Sequence, residues 1–321
     1  MSRFRPVVEI TLDGQSLTGP EAALVSAEVE LTTGTGHDWV RIRFGTMSPL
    51  ADAGPGDPFV IALGYGDGDL ETVLTGAVHR VNHGPAGVTL EALAGTAVLS
   101  AFRHAGSYLQ QTVADIVSDL VSQAGGATGT VDAALQLAAY HVDERRPVWA
   151  HIRDLAGLGD YEIAADPDGN LIFGPPRTGA SDHTLRYGAD LLGWAAGDRE
   201  PAGIAWAGAP HGAGSEQGAE KWHLLLKDPT GGPPAAPTRV LAAAREQETA
   251  DAFGEGRGAR LDRRASGGQA LIVGDSAIRP GDLAELAELP GGGAGAFRCK
   301  AVRHRLSVGQ GFLSRLELEA A

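Results

Sequence analysis

Alternation of apolar and polar residues runs through the first hundred positions of the chain. In the run WVRIRF at 39–44, every second residue is apolar and the two arginines fall on the opposite face. A half-buried strand has this period of two. Comparable runs, separated by turn signals, predict five further strands at 7–12, 27–31, 59–65, 73–81 and 87–92. Six strands joined by short turns are typical of an antiparallel barrel or sandwich.

The period then changes to that of a helix. Between 111 and 124 the apolar residues recur at intervals of three and four, which places them on one helical face. Thr112 can cap the beginning of this helix, with Asp115 three residues further on, and Gly125 can end it.

A second helix is predicted to begin at Pro147, a residue that suits the first turn, and to end near Gly157. The run YEIAADPDGNLIF at 161–173 follows. It is typical of a hairpin whose turn contains an Asp-Gly pair. Residues 105–190 are therefore predicted to form a small α+β unit.

The last third of the chain is rich in glycine and alanine. Short strands are predicted at 204–208 and 222–226, and a Pro/Gly linker at 230–237 leads to a helix at 244–264. Glycines 254, 256 and 258 are expected to fray or break this helix, because glycine disfavours the helical state. The chain closes with four predicted strands, at 269–273, 282–286, 296–306 and 312–319.

Composition excludes several classes of protein. The 321 residues suffice for about two domains with a buried core. The net charge of -14 argues against a nucleic-acid binder, which needs a basic face, and against docking on anionic lipid. No signal peptide and no apolar run of membrane-spanning length is evident, which predicts folding in the cytosol. Cys299 is the single cysteine, so no intrachain disulfide can form, and its strand-like surroundings predict a buried thiol.

The histidines do not form a convincing metal motif. His79 and His83 are four residues apart, but a strand would separate them by about 13 Å. No glutamate follows His79, as it does in metalloprotease helices. His304 is expected to be a strand residue that packs or hydrogen-bonds at an interface.

Two acidic turns, at 66–71 and 166–170, resemble parts of calcium loops. Neither has the twelve-residue spacing with a closing glutamate, and both lie where turns require Asp and Gly. No phosphate loop, nucleophile elbow or distinctive carboxylate pair is present. We therefore expect no catalytic residue, no metal and no cofactor.

Three stretches of the chain carry a resemblance to a known family. They are QTVADIVSDLVSQAG at 111–125, the helix and hairpin at 146–173, and the segment at 272–319. They resemble the late control protein D family, the baseplate hub proteins of phage tails, and the hub portion of VgrG proteins from contractile injection systems. The residues of the last stretch that carry the resemblance are Gly274, Asp275, Pro280, Gly281, Asp282, Val302, His304, Arg305 and Leu306.

This resemblance implies a mainly β fold with a small α+β middle domain and two tube-like antiparallel β-barrels per chain. The expected domains are a first β-barrel at 1–104, the middle domain at 105–190 and a second β-barrel at 191–321 with a preceding linker and helix. Strands within 200–228 are the candidates that would return to complete the first barrel.

The resemblance also implies a homotrimer that adapts a sixfold inner tube above to a threefold spike below. VgrG chains continue into a spike and this sequence stops at Ala321, so the spike is expected on a separate chain. Further expected partners are baseplate wedge or sheath-initiator proteins and a lumenal cargo or tape measure, without nucleic-acid specificity or membrane insertion. The protein would assemble in the cytoplasm and then form part of a phage tail or an extracellular injection particle.

Two alternative functions stay open. One is a tail-associated peptidoglycan hydrolase or peptidase, which needs a carboxylate or metal site that the sequence does not display. The other is a receptor- or glycan-binding tail-tip protein, which would be expected to expose aromatic residues. Aromatic residues make up only 6% of this chain.

Overall fold

A computed structural model describes residues 5–34, 36–66, 70–198, 207–214, 223–226, 238–241, 243–290 and 295–321. Within these ranges the chain forms 21 strands and four α-helices, so the predicted mainly β fold is confirmed. None of the described helices is both long enough and apolar enough to cross a membrane.

Seven strands occupy the first hundred residues. They are β1 (Pro6–Leu12), β2 (Gln15–Thr18), β3 (Leu24–Thr32), β4 (Trp39–Phe44), β5 (Pro58–Tyr65), β6 (Glu71–Gly84) and β7 (Gly87–Ala94). The six predicted strands are all present, and the short polar strand β2 is additional. Inward residues such as Ile10, Ile42 and Leu90 are fully buried and form a first hydrophobic core.

A middle unit with its own hydrophobic core follows. Its elements are a 3-10 turn (Gly95–Ala97), α1 (Val98–Ala101), β8 (Gly106–Thr112), α2 (Val113–Gln123), β9 (Thr128–Val131), β10 (Gln136–Val142), α3 (Val148–Ala156), β11 (Glu162–Ala165) and β12 (Leu171–Gly174). Strand β8 pairs with β10, and β9 extends the β11–β12 hairpin in parallel. Both predicted helices and the predicted hairpin are confirmed.

Local sequence decides both ends of α2. The Thr112 hydroxyl oxygen accepts a hydrogen bond from the backbone N–H of Asp115 at 3.1 Å, and the hydroxyl donates to the Asp115 carboxylate at 2.7 Å. Gly125 adopts a left-handed conformation with φ of 74° just after the helix. This is the arrangement that the capping residues predict.

The elements of the last part complete the fold. They are β13 (His183–Arg186), β14 (Leu191–Asp198), β15 (Ala207–Gly214), β16 (His223–Leu226), β17 (Thr238–Leu241), α4 (Gln247–Arg263), β18 (Ser266–Val273), β19 (Leu283–Ala287), β20 (Gly295–Ser307) and β21 (Gly311–Ala320). All four predicted closing strands are present. They enclose a third hydrophobic core together with β13 and β14.

Strand β20 joins the two ends of the chain into one curled sheet. It pairs with β21 on one side and with β3 on the other, where Val302 lies opposite Leu31. The sheet has 13 strands in the order β14-β18-β21-β20-β3-β4-β7-β6-β5-β1-β2, with β19 and β13 attached beside β20. The first and third cores therefore share one continuous sheet.

Strands β15, β16 and β17 form a small separate sheet. The predicted strands at 204–208 and 222–226 lie partly outside the described residues, as does the linker at 230–237. The described parts, 207–214 and 223–226, pair with each other.

Helix α4 corrects one expectation, because its glycines do not break it: the helix is continuous from Gln247 to Arg263. A Cβ atom at Gly256 would lie 2.6 Å from the Asp160 backbone nitrogen and 2.6 Å from the Gly159 carbonyl carbon. The glycine therefore lets α4 lie directly against the loop that follows α3. This packing offsets the low helical propensity of glycine.

Candidate functional site

The residues that carry the hub resemblance occupy two neighbouring places in the fold. Five lie in the loop between β18 and β19, and four lie in β20. Residues 279–282 form a turn in which the Asp282 backbone N–H donates to the Arg279 carbonyl oxygen at 3.2 Å. Gly281 has φ of 95°, so Pro280 and Gly281 occupy the two central positions that suit a type II turn. The Pro-Gly pair in the sequence thus has a conformational cause.

Gly274 brings the beginning of this loop against β21. Its N–H donates to the Phe312 carbonyl oxygen at 3.0 Å, and a Cβ atom here would lie 2.2 Å from the Phe312 ring. The next N–H, of Asp275, donates to the Ser314 hydroxyl oxygen at 3.1 Å. The Ser314 hydroxyl also lies 2.8 Å from Nδ1 of His304. A short chain of hydrogen bonds therefore connects the loop to both closing strands.

His304 is fully buried in β20, as Val302 is, whereas Leu306 belongs to the first core and Arg305 is exposed. Burial lowers the pKa of His304 to about 3. Its Nε2 atom has no hydrogen-bond partner among the described residues. The imidazole is therefore neutral and packed inside the sheet.

The Asp282 carboxylate binds three nitrogen groups at the other end of the loop. It accepts hydrogen bonds from the Arg279 backbone N–H at 2.8 Å and from Nη1 of Arg177 at 3.1 Å, and it lies 3.0 Å from Nε2 of His183. The bond to Asp282 raises the pKa of His183. Asp282 therefore ties β13 to the loop.

The guanidinium group of Arg279 connects this loop to strand β6. Its Nη1 donates to the Val73 carbonyl oxygen at 2.7 Å, and its Nη2 donates to the Thr72 carbonyl oxygen. Burial raises the pKa of Asp38 to about 7. The positive charge of Arg279 opposes this shift, because it favours the ionised carboxylate. The sequence did not single out Arg279, because its partners lie more than 200 positions away.

A buried ion cluster joins the middle unit to the sheet. Arg298 in β20 has no exposed surface, and its Nη1 donates to Glu162 at 2.5 Å and to Glu319 at 2.9 Å. Arg263 of α4 donates to both carboxylate oxygens of Asp160 at 2.6 Å. The cluster therefore fastens β11, α4 and the two closing strands to one another. The sequence gives one sign of this ion cluster: Arg298 occupies an inward position of a strand.

Charged side chains cover the surface of the sheet that is turned away from the cores, which we call the outer face. Adjacent strands place Arg305, Glu28, Arg41, Glu91 and Arg80 in one row of alternating sign. Arg41 and Glu91 pair at 2.9 Å. Such cross-strand pairs of opposite charge stabilise a sheet modestly.

Five neighbouring strands of the outer face differ in charge from the whole chain. Strands β3, β4, β7, β20 and β21 present six cations there, Arg41, Arg43, Lys300, Arg303, Arg305 and Arg315. The same strands present four carboxylates, Glu28, Glu30, Glu91 and Glu317. This part of the surface is therefore weakly cationic in a protein of net charge -14.

The other candidate residues do not converge on a metal site. His79 and His83 are exposed in β6. In the acidic turn at 166–170, the Asp166 carboxylate accepts hydrogen bonds from the backbone N–H groups of Asp168 and Asn170, as an ordinary turn requires. The turn at 66–71 lies partly outside the described residues. Over the part of the chain that the structure describes, no three His, Cys, Asp or Glu side chains gather around a cation position.

Cys299 is buried, as predicted. Burial raises the pKa of its thiol to about 12, so the thiolate is scarce at neutral pH. The residue is therefore a packing group within the third core.

Neither a protein-family model nor a curated protein matches the chain. Solved structures of tail proteins are nevertheless similar over its full length. The tail protein from Neisseria meningitidis MC58 is 14% identical with a TM-score of 0.73, covering 99% of this chain and 97% of that one. The 43 kDa tail protein of prophage MuSo2 from Shewanella oneidensis is 12% identical with a TM-score of 0.70, covering 98% of each chain.

A third similar structure comes from a secretion machine. It is the E. coli component of the type VI secretion system described as structurally similar to the T4 bacteriophage tail proteins gp27 and gp5. It is 12% identical with a TM-score of 0.62, covering 97% of this chain and 76% of that one. The chain therefore has the fold of phage tail proteins and of type VI secretion components.

Proposed function

We propose that the protein is a structural baseplate hub of a contractile phage tail or of a related injection particle. Three copies would form a ring that adapts a sixfold inner tube to a threefold spike on a separate chain. Each copy would contribute two β units, one around the first core and one around the third. Baseplate wedge or sheath-initiator proteins would bind outside the ring.

The observation that carries this proposal is the full-length similarity to tail proteins, at a TM-score of 0.73 for 99% of the chain. The pairing of β20 with β3 adds support, because it holds two β units of similar character side by side on one sheet. A threefold ring of such chains would alternate these units around six positions. Its contacts would be head-to-tail, as a closed ring requires.

We propose that the outer face lines the channel of this ring. Most of its charged side chains pair across strands, as Arg41, Lys300, Arg303 and Arg305 do. The row that contains Arg303 continues through Glu30 to the partly buried Trp39 and Leu93. A surface of that kind holds water and offers little to an apolar passenger. A lumenal cargo or tape-measure protein would slide along it.

A structural role is also the better account of the motif residues. His304 is buried and neutral, and Asp282 is engaged by an arginine and a histidine. Neither is placed to act on a substrate. We accordingly propose no catalytic residue.

Mass photometry tests the oligomeric state. The proposal predicts particles of three chains of 33.1 kDa each, alone or after addition of the tube and spike proteins. A strict monomer in the presence of both partners would contradict the hub assignment.

Thiol labelling tests the channel lining. Because Cys299 is buried, a cysteine introduced elsewhere is the reactive one. Arg305→Cys on the outer face and Arg145→Cys in the middle unit, where the side chain is 87% exposed, form a matched pair. A bulky maleimide should label both in the free chain and only the second in the assembled particle. Equal labelling of both after assembly would refute the channel position.

A further inference from the structure

A cavity of about 200 Å³ lies where three parts of the protein meet. The β3–β4 connection and the closing strands form one wall, the ends of α3 and the β11 hairpin form a second, and the last turn of α4 forms a third. Five cationic side chains line it: Arg153, Arg260, Arg263, Arg264 and Lys300. The cavity shares Lys300 with the outer face and lies apart from the loop at 274–282.

Two of these cations already have carboxylate partners. Arg263 binds both oxygens of Asp160 at 2.6 Å, and Lys300 binds Glu317 at 2.9 Å. Their charges are therefore largely compensated.

Arg260 is compensated much less. Its Nη2 atom donates to three backbone carbonyl oxygens, those of residues 156, 157 and 159. The nearest carboxylate contact is between its Nε and Asp160 at 3.7 Å. Carbonyl oxygens satisfy hydrogen bonds but supply no full negative charge. Burial, together with the neighbouring arginines 257, 263 and 264, lowers the pKa of Arg260 against the pull of Asp160.

The side chains of Arg153 and Arg264 are exposed and make no hydrogen bond or ion pair with any described residue. The carboxylates that border the cavity are engaged elsewhere: Asp154 pairs with Arg146 at 2.7 Å, and Glu162 and Glu319 pair with Arg298. Two helix ends, those of α3 and α4, also point here, and each supplies about half a negative charge. Glu162 and Glu319 share the single charge of Arg298, so about one carboxylate charge remains beside the cavity. Three guanidinium groups against about two negative charges, counting the helix ends, leave the cavity with a net charge of about +1.

We propose that this cavity binds a small tetrahedral oxyanion of the phosphate class, held by Arg153, Arg260 and Arg264. Guanidinium groups present forked N–H donors that match such oxygens two at a time. The volume suits one phosphoryl group with a few water molecules. The anion comes as free inorganic phosphate or as the phosphoryl group of a small monoester. This assignment is independent of the proposed hub function.

The bound anion would act as a fastening between units. Arg153 belongs to the middle unit, whereas Arg260 and Arg264 belong to α4 and its end. One ligand that binds all three therefore holds α4 against the middle unit. Its loss would loosen that contact without removing any residue of the hydrophobic cores.

Titration of the full chain with inorganic phosphate tests the proposal. Phosphorus NMR line widths report binding directly, and the melting temperature at constant ionic strength reports stabilisation. The unaltered protein should broaden the phosphate signal and melt at a higher temperature in phosphate than in chloride. Arg153→Gln with Arg264→Gln should weaken binding by about tenfold or more, because two charge-assisted contacts are lost.

The matched control removes the same charge elsewhere. Arg145→Gln with Arg186→Gln alters two exposed side chains outside the cavity and should bind phosphate as the unaltered protein does. Glycerol phosphate in place of phosphate distinguishes the sources, since tighter binding of the ester identifies a phosphomonoester and tighter binding of phosphate identifies the free ion. Equal responses to phosphate and chloride, or equal loss of binding in both double variants, would overturn the assignment.

Discussion

The guanidinium of Arg279 donates to the carbonyl oxygen of Val73 at 2.7 Å and so connects the loop before β19 to strand β6. The two residues are 206 positions apart in the chain. This contact fastens the loop that carries the hub-like residues to the sheet around the first core. It is a structural contact that no local pattern encodes.

Replacing Arg279 should therefore destabilise the protein well beyond a surface change. Arg279→Gln removes two charge-assisted hydrogen bonds and the positive charge near Asp38, and we expect a loss of about 2–4 kcal/mol. Arg305→Gln is the control, because its side chain is 62% exposed and its carboxylate contact is 3.9 Å. That change should cost less than about 0.5 kcal/mol. Urea denaturation of both variants measures the difference, and equal midpoints would contradict the assigned role.

The buried ion cluster gives a second prediction. Arg298→Gln leaves Glu162 and Glu319 without their buried partner, so we expect a loss of about 3–5 kcal/mol. Lys300→Gln breaks a neighbouring pair whose side chains are 30% and 52% exposed, and it should cost less than about 1 kcal/mol. Denaturation followed by limited proteolysis would show whether the middle unit loosens first. A stable Arg298→Gln protein would show that the cluster contributes little.

Two glycines of the same helix should respond in opposite directions. A Cβ atom at Gly256 would collide with the backbone of the loop at 159–160. At Gly258, no atom of the described residues outside the helix's own backbone lies within 4 Å of such a Cβ atom. Gly256→Ala should destabilise by about 1–3 kcal/mol through overpacking. Gly258→Ala should stabilise by about 1 kcal/mol through helical propensity. Thermal melting of both proteins measures the sign, and a shift in the same direction would refute the close approach of α4.

The buried histidine predicts acid sensitivity. Below its ordinary pKa of 6.5, the unfolded chain binds a proton at His304, but the folded protein does so only near a pKa of about 3. The contribution of His304 to the free energy of unfolding is therefore complete above pH 6.5. It falls by about 1.4 kcal/mol per pH unit as the pH drops towards 3. His304→Gln should flatten the stability profile in this window. Denaturation midpoints between pH 4 and 7 provide the measurement.

Asp38 serves as the control, because its contribution to stability should change with pH in the opposite direction. Burial raises its pKa from 3.8 to about 7, so the folded protein holds this proton more tightly than the unfolded chain does. Its contribution is present at low pH and is lost as the pH rises from about 4 to about 7. Asp38→Asn should therefore remove a slope that runs against that of His304. Identical pH profiles for the two variants would exclude both assignments.

The sequence predicts those features whose causes are local. The α2 cap at Thr112, the hairpin turn at 168–169 and the Pro-Gly turn at 280–281 each follow from two or three adjacent residues. By contrast, Arg279, Arg298 and Gly256 depend on partners from distant parts of the chain. Their neighbours in the sequence give no sign of these contacts. Gly256 was therefore expected to fray or break helix α4. The sequence also does not predict the cationic part of the outer face on β3, β4, β7, β20 and β21. The net charge of a chain does not show how its charges are distributed over the faces of the strands.

The pairing of β20 with β3 has a consequence for synthesis on the ribosome. Strand β3 ends at Thr32, and one of its two neighbours, β20, begins only at Gly295. That edge of β3 therefore has no partner while the intervening chain is made. At elongation rates of about 5–20 residues per second this interval lasts roughly ten seconds to one minute. An open strand edge is a template for pairing with other chains. The nascent chain is therefore expected to expose this strand edge to aggregation until residues 295–307 have been made.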